Sequence, residues 1–327
     1  MLRGTGLQLV GWQTGTNSVE VTFLNDLVER GWDWLAKLPT ATVNVLAFDQ
    51  EVAAIYSGPA TGFGDAQLKQ LRARRALGAS NVELALKAVQ AKPTARVVIV
   101  GDGVFTAGAT EGPNLTAAVL KLKGAGVKRL VFAGSSSAYG ETPVLPKVET
   151  MAPDPLSPYA VSKLTGESYC KAFYRSYGVE TVVLRYFNVF GPRQDPNSHY
   201  AAVIPRFITS AFRGESPVIF GDGEQSRDFC FIDNVVEANL KACTAPGAAG
   251  KVFNIACGER ITLLDVIRAL SAITGRAITP RHEPSRVGDI RHSLADTTRA
   301  REVLGYSGAI PFSEGLRRTV AWYRERV

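Results

Sequence analysis

The chain has 327 residues, 46% hydrophobic and 20% charged, which excludes intrinsic disorder and leaves room for one large α/β domain or two lobes with a full core. The 37 Lys and Arg against 30 Asp and Glu give a net charge of +7, yet the arginines are scattered along the chain. Only Arg72, Arg74 and Arg75 are grouped, without interleaved aromatics, so the balance points to a small anionic ligand and away from nucleic acid.

Predicted strands and helices alternate along the chain. The run 43–49 reads as a buried strand, and 65–77 and 81–92 read as helices from apolar residues recurring every three to four positions. A strand at 95–102, a helix at 114–126 and a strand at 127–134 follow. Next come a helix at 158–178 and strands at 180–191 and 251–258. Ser157 before Pro158 is a helix cap with a first-turn proline, and Thr262 with Asp265 predicts a capping box for a helix starting at 263. This alternation predicts an α/β fold with a doubly wound, Rossmann-like parallel sheet. Beyond about residue 190, loops rich in Pro and Gly predict a smaller C-terminal lobe for the substrate. Ligands of such folds bind at the carboxyl ends of the strands.

No uninterrupted apolar run reaches the roughly 18 residues of a membrane helix, and the opening residues lack the layout of a signal peptide, so a cytoplasmic protein without membrane partners is expected. Cys170, Cys230, Cys243 and Cys257 are far apart in sequence, with no C-x-x-C pair and no histidine at ligand spacing. They predict a reducing compartment and no metal site.

The chemistry lies in two stretches, GSSSAYG (134–140) at the end of a predicted strand and SPYAVSK (157–163) opening a helix. Tyr159 and Lys163 are four apart and share one helix face. An ammonium beside a phenol favours the phenolate, which lets the tyrosine act as a base near neutral pH. A serine hydroxyl from the preceding strand end can complete the hydrogen bonding to a substrate hydroxyl.

With these stretches in order, residues from about 126 to 327 resemble the catalytic and substrate-binding part of an extended short-chain dehydrogenase/reductase of the UDP-sugar 4-epimerase branch. LRYFNVFGPRQDPNSHYAAVIPRFI, VIFGDGEQSRDFCFIDNVVEA, VFNIACGE and RVGDIRHSLADTTRAREVLGY also carry the likeness. The resemblance implies bound NAD, removal of hydride from the sugar 4-position, a 4-keto intermediate that turns over, and return of hydride to its other face. By matching position it implies Tyr159 as the base, Lys163 on the nicotinamide ribose, and Ser135 on the reacting hydroxyl with Ser137 nearby. Phe187 would line the nicotinamide pocket, while Asn188, Arg227, Arg286 and Asp289 would hold the nucleotide diphosphate and its ribose or uracil. A guanidinium such as that of Arg227 suits forked bonding to pyrophosphate oxygens. Ser293 falls where the branch tunes the room around the sugar 2-substituent, and its small size favours UDP-N-acetylglucosamine over UDP-glucose. Ser136 and Ser137 occupy the places of dehydratase and decarboxylase acids and argue against both reactions. A homodimer through helices 114–126 and 158–178 is also implied.

The first 126 residues depart from that pattern. The opening MLRGTGLQLVGWQTGTNS lacks a G-x-x-G-x-x-G fingerprint and an acid about 20 residues later. Such glycines let the backbone approach a pyrophosphate at a helix N-terminus. Gly58, Gly62 and Gly64 are the nearest substitute. Residues 20–126 instead resemble a von Willebrand factor A domain in VNVLAFDQEV, RRALGASNVELALKAV and ARVVIVGDGVFTAGAT. Ser80 and Asp102 match two of that family's three metal loops, and the absent first loop implies loss of the metal. The chain therefore reads as a hybrid of 1–126 and 127–327, joined near 124–134. Two functions follow: a UDP-sugar 4-epimerase with weakened NAD binding, or a non-catalytic hybrid that binds UDP-sugar without turnover.

Overall fold

The computed structural model describes residues 128–192, 194, 203–285 and 290–325, and, earlier in the chain, 7–10, 42–48, 52–73, 96–99, 116, 117, 119, 120, 123 and 124. The strands described are β1 (Leu7–Val10), β2 (Thr42–Phe48), β3 (Val52–Pro59), β4 (Arg96–Ile99), β5 (Arg129–Ser135), β6 (Glu180–Tyr186) and β7 (Asn188–Phe190). They continue with β8 (Val218–Phe220), β9 (Ser226–Arg227), β10 (Phe229–Phe231), β11 (Lys251–Ile255), β12 (Ile261–Thr262) and β13 (Arg281–Glu283). The helices described are α1 (Asp65–Ala73), α2 (Pro158–Tyr177), α3 (Val203–Arg213), α4 (Ile232–Ala242), α5 (Leu263–Thr274) and α6 (Phe312–Arg324).

Strand β1 runs parallel between β2 and β4, with Leu7 opposite both Val43 and Arg96. Strand β4 lies beside β5, which pairs in parallel with β6, and β6 pairs in parallel with β11. The resulting order β3-β2-β1-β4-β5-β6-β11 reverses direction between β1 and β4, the switch point at which doubly wound folds open a crevice for ligands.

Two features correct the sequence reading of the first half. The opening segment contains a central strand, β1, whose four residues are too few to show a period. The sheet is mixed, because β3 is antiparallel to β2. Three residues separate the two strands, and a parallel crossover needs a dozen or more. Gly58, Gly62 and Gly64 consequently sit on and after an antiparallel edge strand, away from the carboxyl end of any parallel one. Gly58 leaves room for Tyr56, since a Cβ there would lie 2.8 Å from its hydroxyl, which donates to the Pro59 carbonyl at 2.7 Å. Ser80 and Asp102 lie outside the described residues.

Helix α2 begins and ends where its residues dictate. The Ser157 side chain accepts from the Ala160 N–H at 3.1 Å, Pro158 fills the first turn, and Gly178 closes the helix in the left-handed conformation with φ 61°. Gly166 lets the helix settle onto β5, because any Cβ at that position would run into the Phe132 ring. The predicted capping box forms, with Thr262 Oγ1 accepting from the Asp265 N–H at 3.0 Å and the Asp265 carboxylate accepting from the Thr262 N–H at 2.9 Å.

The predicted strand 180–191 is interrupted at Phe187. Strand β6 stays in the main sheet, and β7 leaves it to pair with β10 beneath the C-terminal lobe. One continuous core joins sheet and lobe through Leu184, Phe190, Ile204, Phe231, Phe253 and Leu316, all at most 1% exposed. Each such side chain contributes about 1.5–3 kcal/mol by leaving water. The cysteines are less separated than the sequence suggests, for Cys230 and Cys257 pack in one core cluster. Among the described residues no helix is long and apolar enough to cross a membrane, and no group of three or more His, Cys, Asp or Glu is placed to hold a metal ion.

Candidate active site

At the carboxyl end of β5 the chain turns sharply through a 3-10 turn, Ser136–Tyr139. Ser135 Oγ caps it, accepting from the Ser137 N–H at 3.2 Å and from the Ser137 hydroxyl at 2.8 Å. The two hydroxyls named from the sequence are thus held side by side. Helix α2 packs against β5, β6 and this turn. Its first turn presents Tyr159, 40% exposed, while Lys163 one turn later is 5% exposed. Lys163 Nζ donates to the Ala133 carbonyl at 3.4 Å and lies 5.5 Å from the centre of the Tyr159 ring. The structure therefore brings Ser135, Ser137, Tyr159 and Lys163 to one end of the sheet. A phenol beside a buried ammonium is a chemistry suited to accepting a proton.

Beneath this surface lies a polar network that the sequence reading did not anticipate. Arg185 of β6 makes a two-point contact with Glu167 of α2, Nε to Oε2 at 2.8 Å and Nη2 to Oε1 at 2.7 Å, and both side chains are 1% exposed. Lys171 adds a third bond to Glu167 at 2.6 Å. Burial alone would raise the Glu167 carboxyl, but the bonds from Arg185 and Lys171 outweigh it and hold the group below its ordinary value. The Arg185 guanidinium carbon lies 4.4 Å from the centre of the Tyr139 ring. Tyr139 donates to Asn254 Oδ1 at 2.6 Å, and burial pushes its phenol up. Lys147, 1% exposed, donates to the Gly140 carbonyl at 2.7 Å and flanks the same ring at 5.7 Å.

The residues assigned to the nucleotide end gather on the lobe side. Phe187 is 3% exposed and packs with Tyr139, Ala256 and Ala295. Asn188 is half-buried at the start of β7, its N–H donating to the Asp228 carbonyl at 3.2 Å. Arg227 is half-buried, with Nη1 donating to the carbonyls of Ser226 at 3.0 Å and Arg291 at 3.2 Å. Ser293 is 6% exposed, against the alternative of an exposed loop serine, and its N–H donates to the Ser226 carbonyl at 3.0 Å. Arg286 and Asp289 lie outside the described residues.

Three further residues tie this region together. Asp228 has no exposed surface, and its carboxylate accepts from the N–H groups of Cys257, Gly258 and Ala295, each at 3.0 Å. Burial pushes Asp228 up to about 6, with the amide donors acting in the opposite sense. Arg260 and His292 surround Ser226, whose hydroxyl lies 3.2 Å from Arg260 Nε and 2.9 Å from His292 Nδ1. Partial burial and then the charges of Arg260, Arg291 and Arg227 hold His292 below its usual value. The positive field that acts on this histidine is the one an anionic ligand would meet. A serine, an arginine and an aspartate in succession at 226–228 were the available signal for Asp228.

Residues 110–256 match the NAD dependent epimerase/dehydratase family. The chain is 37% identical over 203 residues to the UDP-glucose 4-epimerase of Mycolicibacterium smegmatis, a match that spans 62% of this chain and 64% of that relative. Among solved structures it is similar to the UDP-N-acetylglucosamine 4-epimerase of Methanobrevibacter ruminantium in complex with UDP-N-acetylmuramic acid, at 30% identity and TM-score 0.73, with 99% of each chain covered. It is also similar to a mutant of the UDP-glucuronic acid 4-epimerase of Bacillus cereus in complex with UDP-4-deoxy-4-fluoro-glucuronic acid and NAD, at 25% identity and TM-score 0.71, covering 98% of this chain and 99% of that one.

Proposed function

Because the chain belongs to the NAD dependent epimerase/dehydratase family, we propose that it inverts the 4-hydroxyl of a UDP-sugar, UDP-N-acetylglucosamine or UDP-glucose, by way of a 4-keto sugar. The observation that supports this reading is the Ser135–Ser137 pair at the carboxyl end of β5 together with the Tyr159–Lys163 pair on the helix packed against that turn. In this reading the Ser135 hydroxyl orients the sugar 4-hydroxyl, Tyr159 takes its proton, and the Lys163 ammonium favours the phenolate form of Tyr159. The same phenol returns a proton to the 4-oxygen after the keto sugar has turned over.

NAD, when bound, supplies the hydride acceptor and donor for the sugar 4-carbon. The frame suits a dinucleotide, since β1 and β4 diverge at a switch point and Lys163 stands beside the base. Gly11 and Gly15 follow β1 in the sequence and Asp49 follows β2, residue types that suit a pyrophosphate and a ribose. Lys163 and Phe187 would hold the nicotinamide end. Arg227 with Asn188, Arg286 and Asp289 would hold the UDP part, and the small Ser293 leaves room for an N-acetyl group. The exposed apolar side chains of Val161 and Tyr169 on α2, together with Leu120, suit the helix-to-helix face of a homodimer. The resemblance of residues 20–126 to a von Willebrand factor A domain is not supported, because an epimerase structure matches 99% of this chain, its first half included.

The test is turnover of UDP-N-acetylglucosamine and UDP-glucose with added NAD, in the wild type and in Tyr159→Phe. Loss of the base should lower kcat by roughly 100- to 10,000-fold without changing the melting temperature. Wild-type turnover that survives in Tyr159→Phe sinks the assignment of the base. The second reading, UDP-sugar binding without turnover, is favoured by the lack of a glycine triplet after β1, and it predicts UDP-sugar binding by an inactive wild type.

A further inference from the structure

We propose that Arg185 is a positioning residue that holds the serine turn and the Tyr159–Lys163 helix in register. The inference rests on the epimerase reading for its consequence in turnover, and on geometry for its substance. Tyr159, Lys163, Glu167 and Lys171 follow one another at intervals of four and form a single stripe along α2. Arg185 reaches that stripe through its two-point contact with Glu167. On its other side the same guanidinium lies 4.4 Å from the centre of Tyr139, the last residue of the turn that carries Ser135 and Ser137. One side chain therefore touches both elements of the site, which also pack directly against each other.

The arrangement is costly if packing is its only purpose. Arg185 and Glu167 are each 1% exposed, and Arg185 Nη1 has no hydrogen-bond partner. Buried ion pairs of this kind are often no more stabilising than apolar residues of the same volume, so their retention points to a geometric task. Here the task is to fix the separation of the hydroxyls from the phenol, which must hold to within about half an ångström for efficient proton transfer.

A charge effect accompanies the geometry. Glu167 follows Lys163 by one helical turn, about 6 Å along the axis, so its carboxylate opposes the field by which Lys163 favours the Tyr159 phenolate. Arg185 and Lys171, both bonded to that carboxylate, offset most of that opposition. The other ionisable groups on the packed elements are Arg129 on β5, which pairs with Glu180 at the far end of β6, Tyr139 in the turn, and Tyr186, which bonds to Asn239. On α2 itself Tyr169, Cys170 and Lys171 follow Glu167, and Tyr174, Arg175 and Tyr177 lie further along.

The experiment is a pH titration of the tyrosine ring carbon by NMR on protein labelled at tyrosine Cζ, with the Tyr159 signal assigned by its loss in Tyr159→Phe. Arg185→Met should move the Tyr159 midpoint up by roughly half a pH unit, and Glu167→Gln should move it down by a similar amount. The pair Arg185→Met/Glu167→Met should bring it back to within about 0.2 unit of the wild type. In turnover, Arg185→Met should lose about tenfold or more in kcat with KM changed less than about threefold, because the reacting geometry is disturbed and UDP binding is not. A purely structural role predicts a lower melting temperature with the Tyr159 midpoint fixed in both single variants, and that result overturns the proposal. If Arg185→Met does not fold, Glu167→Gln alone decides by the sign of its shift. A wild type without turnover counts against the epimerase reading only, since the NMR midpoints still settle the role of Arg185.

Discussion

Replacing Asp228 with Asn separates burial from hydrogen bonding at the centre of the lobe. Asp228 is fully buried, its carboxylate gathers three amide N–H groups at 3.0 Å, and its value is pushed up to about 6 from an ordinary 3.8. A carboxyl raised in the folded state stays protonated there while the unfolded chain has already lost its proton. It therefore contributes stability below about pH 4, and that stability is lost as the pH climbs through about 6. A rise of roughly two units corresponds to about 3 kcal/mol. Asn does not titrate, so the wild-type minus Asp228→Asn difference in unfolding free energy should fall by about 2.4 kcal/mol between pH 4 and pH 7. Urea melts of both proteins at half-unit pH intervals measure it, and taking the difference removes every other titrating group. A difference that rises with pH over that range would show that the amide donors outweigh burial, and the reasoning would be wrong. Because Asp228 joins the strand of Arg227 to the segments of Ala256 and Ser293, the variant should also bind UDP more weakly at every pH.

Two further outcomes follow from packing and from the thiols. Gly166→Ala places a methyl group against the Phe132 ring and should lower stability by about 1–3 kcal/mol in a urea melt, whereas an unchanged midpoint would mean that α2 does not rest on β5 as described. With iodoacetamide near neutral pH, Cys257 should be alkylated before Cys170 and Cys230. The neighbouring Cys230 holds the half-buried Cys257 thiol low, while burial pushes Cys170 up to about 12 and the Cys230 thiol is also raised. Peptide mass spectrometry over time gives the order, and early modification of Cys170 in the native protein contradicts it.

What could be read ahead of the structure was local. Ser157, Pro158 and Gly178 mark the ends of α2 by residue type, so the face carrying Tyr159 and Lys163 was fixed before any tertiary contact was known. The capping box of Thr262 and Asp265 was legible for the same reason. Strand β1 was not, because LQLV is a four-residue run whose place is set by β2 and β4 on either side. The reversal of β3 was present in the three-residue link to β2, a length that permits only a hairpin. Arg185 with Glu167 and Asp228 with Ala295 are separated by 18 and 67 residues, and no periodicity reports such meetings. Each required the fold to be in place.

The division of labour within the sheet makes NAD the deciding ligand. In the proposed reaction, proton transfer and sugar orientation would depend on β5, α2 and the lobe. Hydride transfer depends on the crevice between β1 and β4, where a strand is followed by Gly11 and Gly15 in place of three glycines. If that crevice accepts the dinucleotide, NAD at about 100 times its dissociation constant should stabilise the protein by about 2.7 kcal/mol. With an unfolding entropy near 2.1 cal/mol/K per residue over 327 residues, this is a rise of about 4 °C in melting temperature. UDP should raise the melting temperature in either case, since its contacts come from the lobe. A UDP effect without an NAD effect would leave a base and an oriented hydroxyl with no acceptor for the hydride, and the protein would then be a UDP-sugar binder. Additive effects of the two ligands would show that the switch point of a mixed sheet accepts a dinucleotide without the usual glycine triplet.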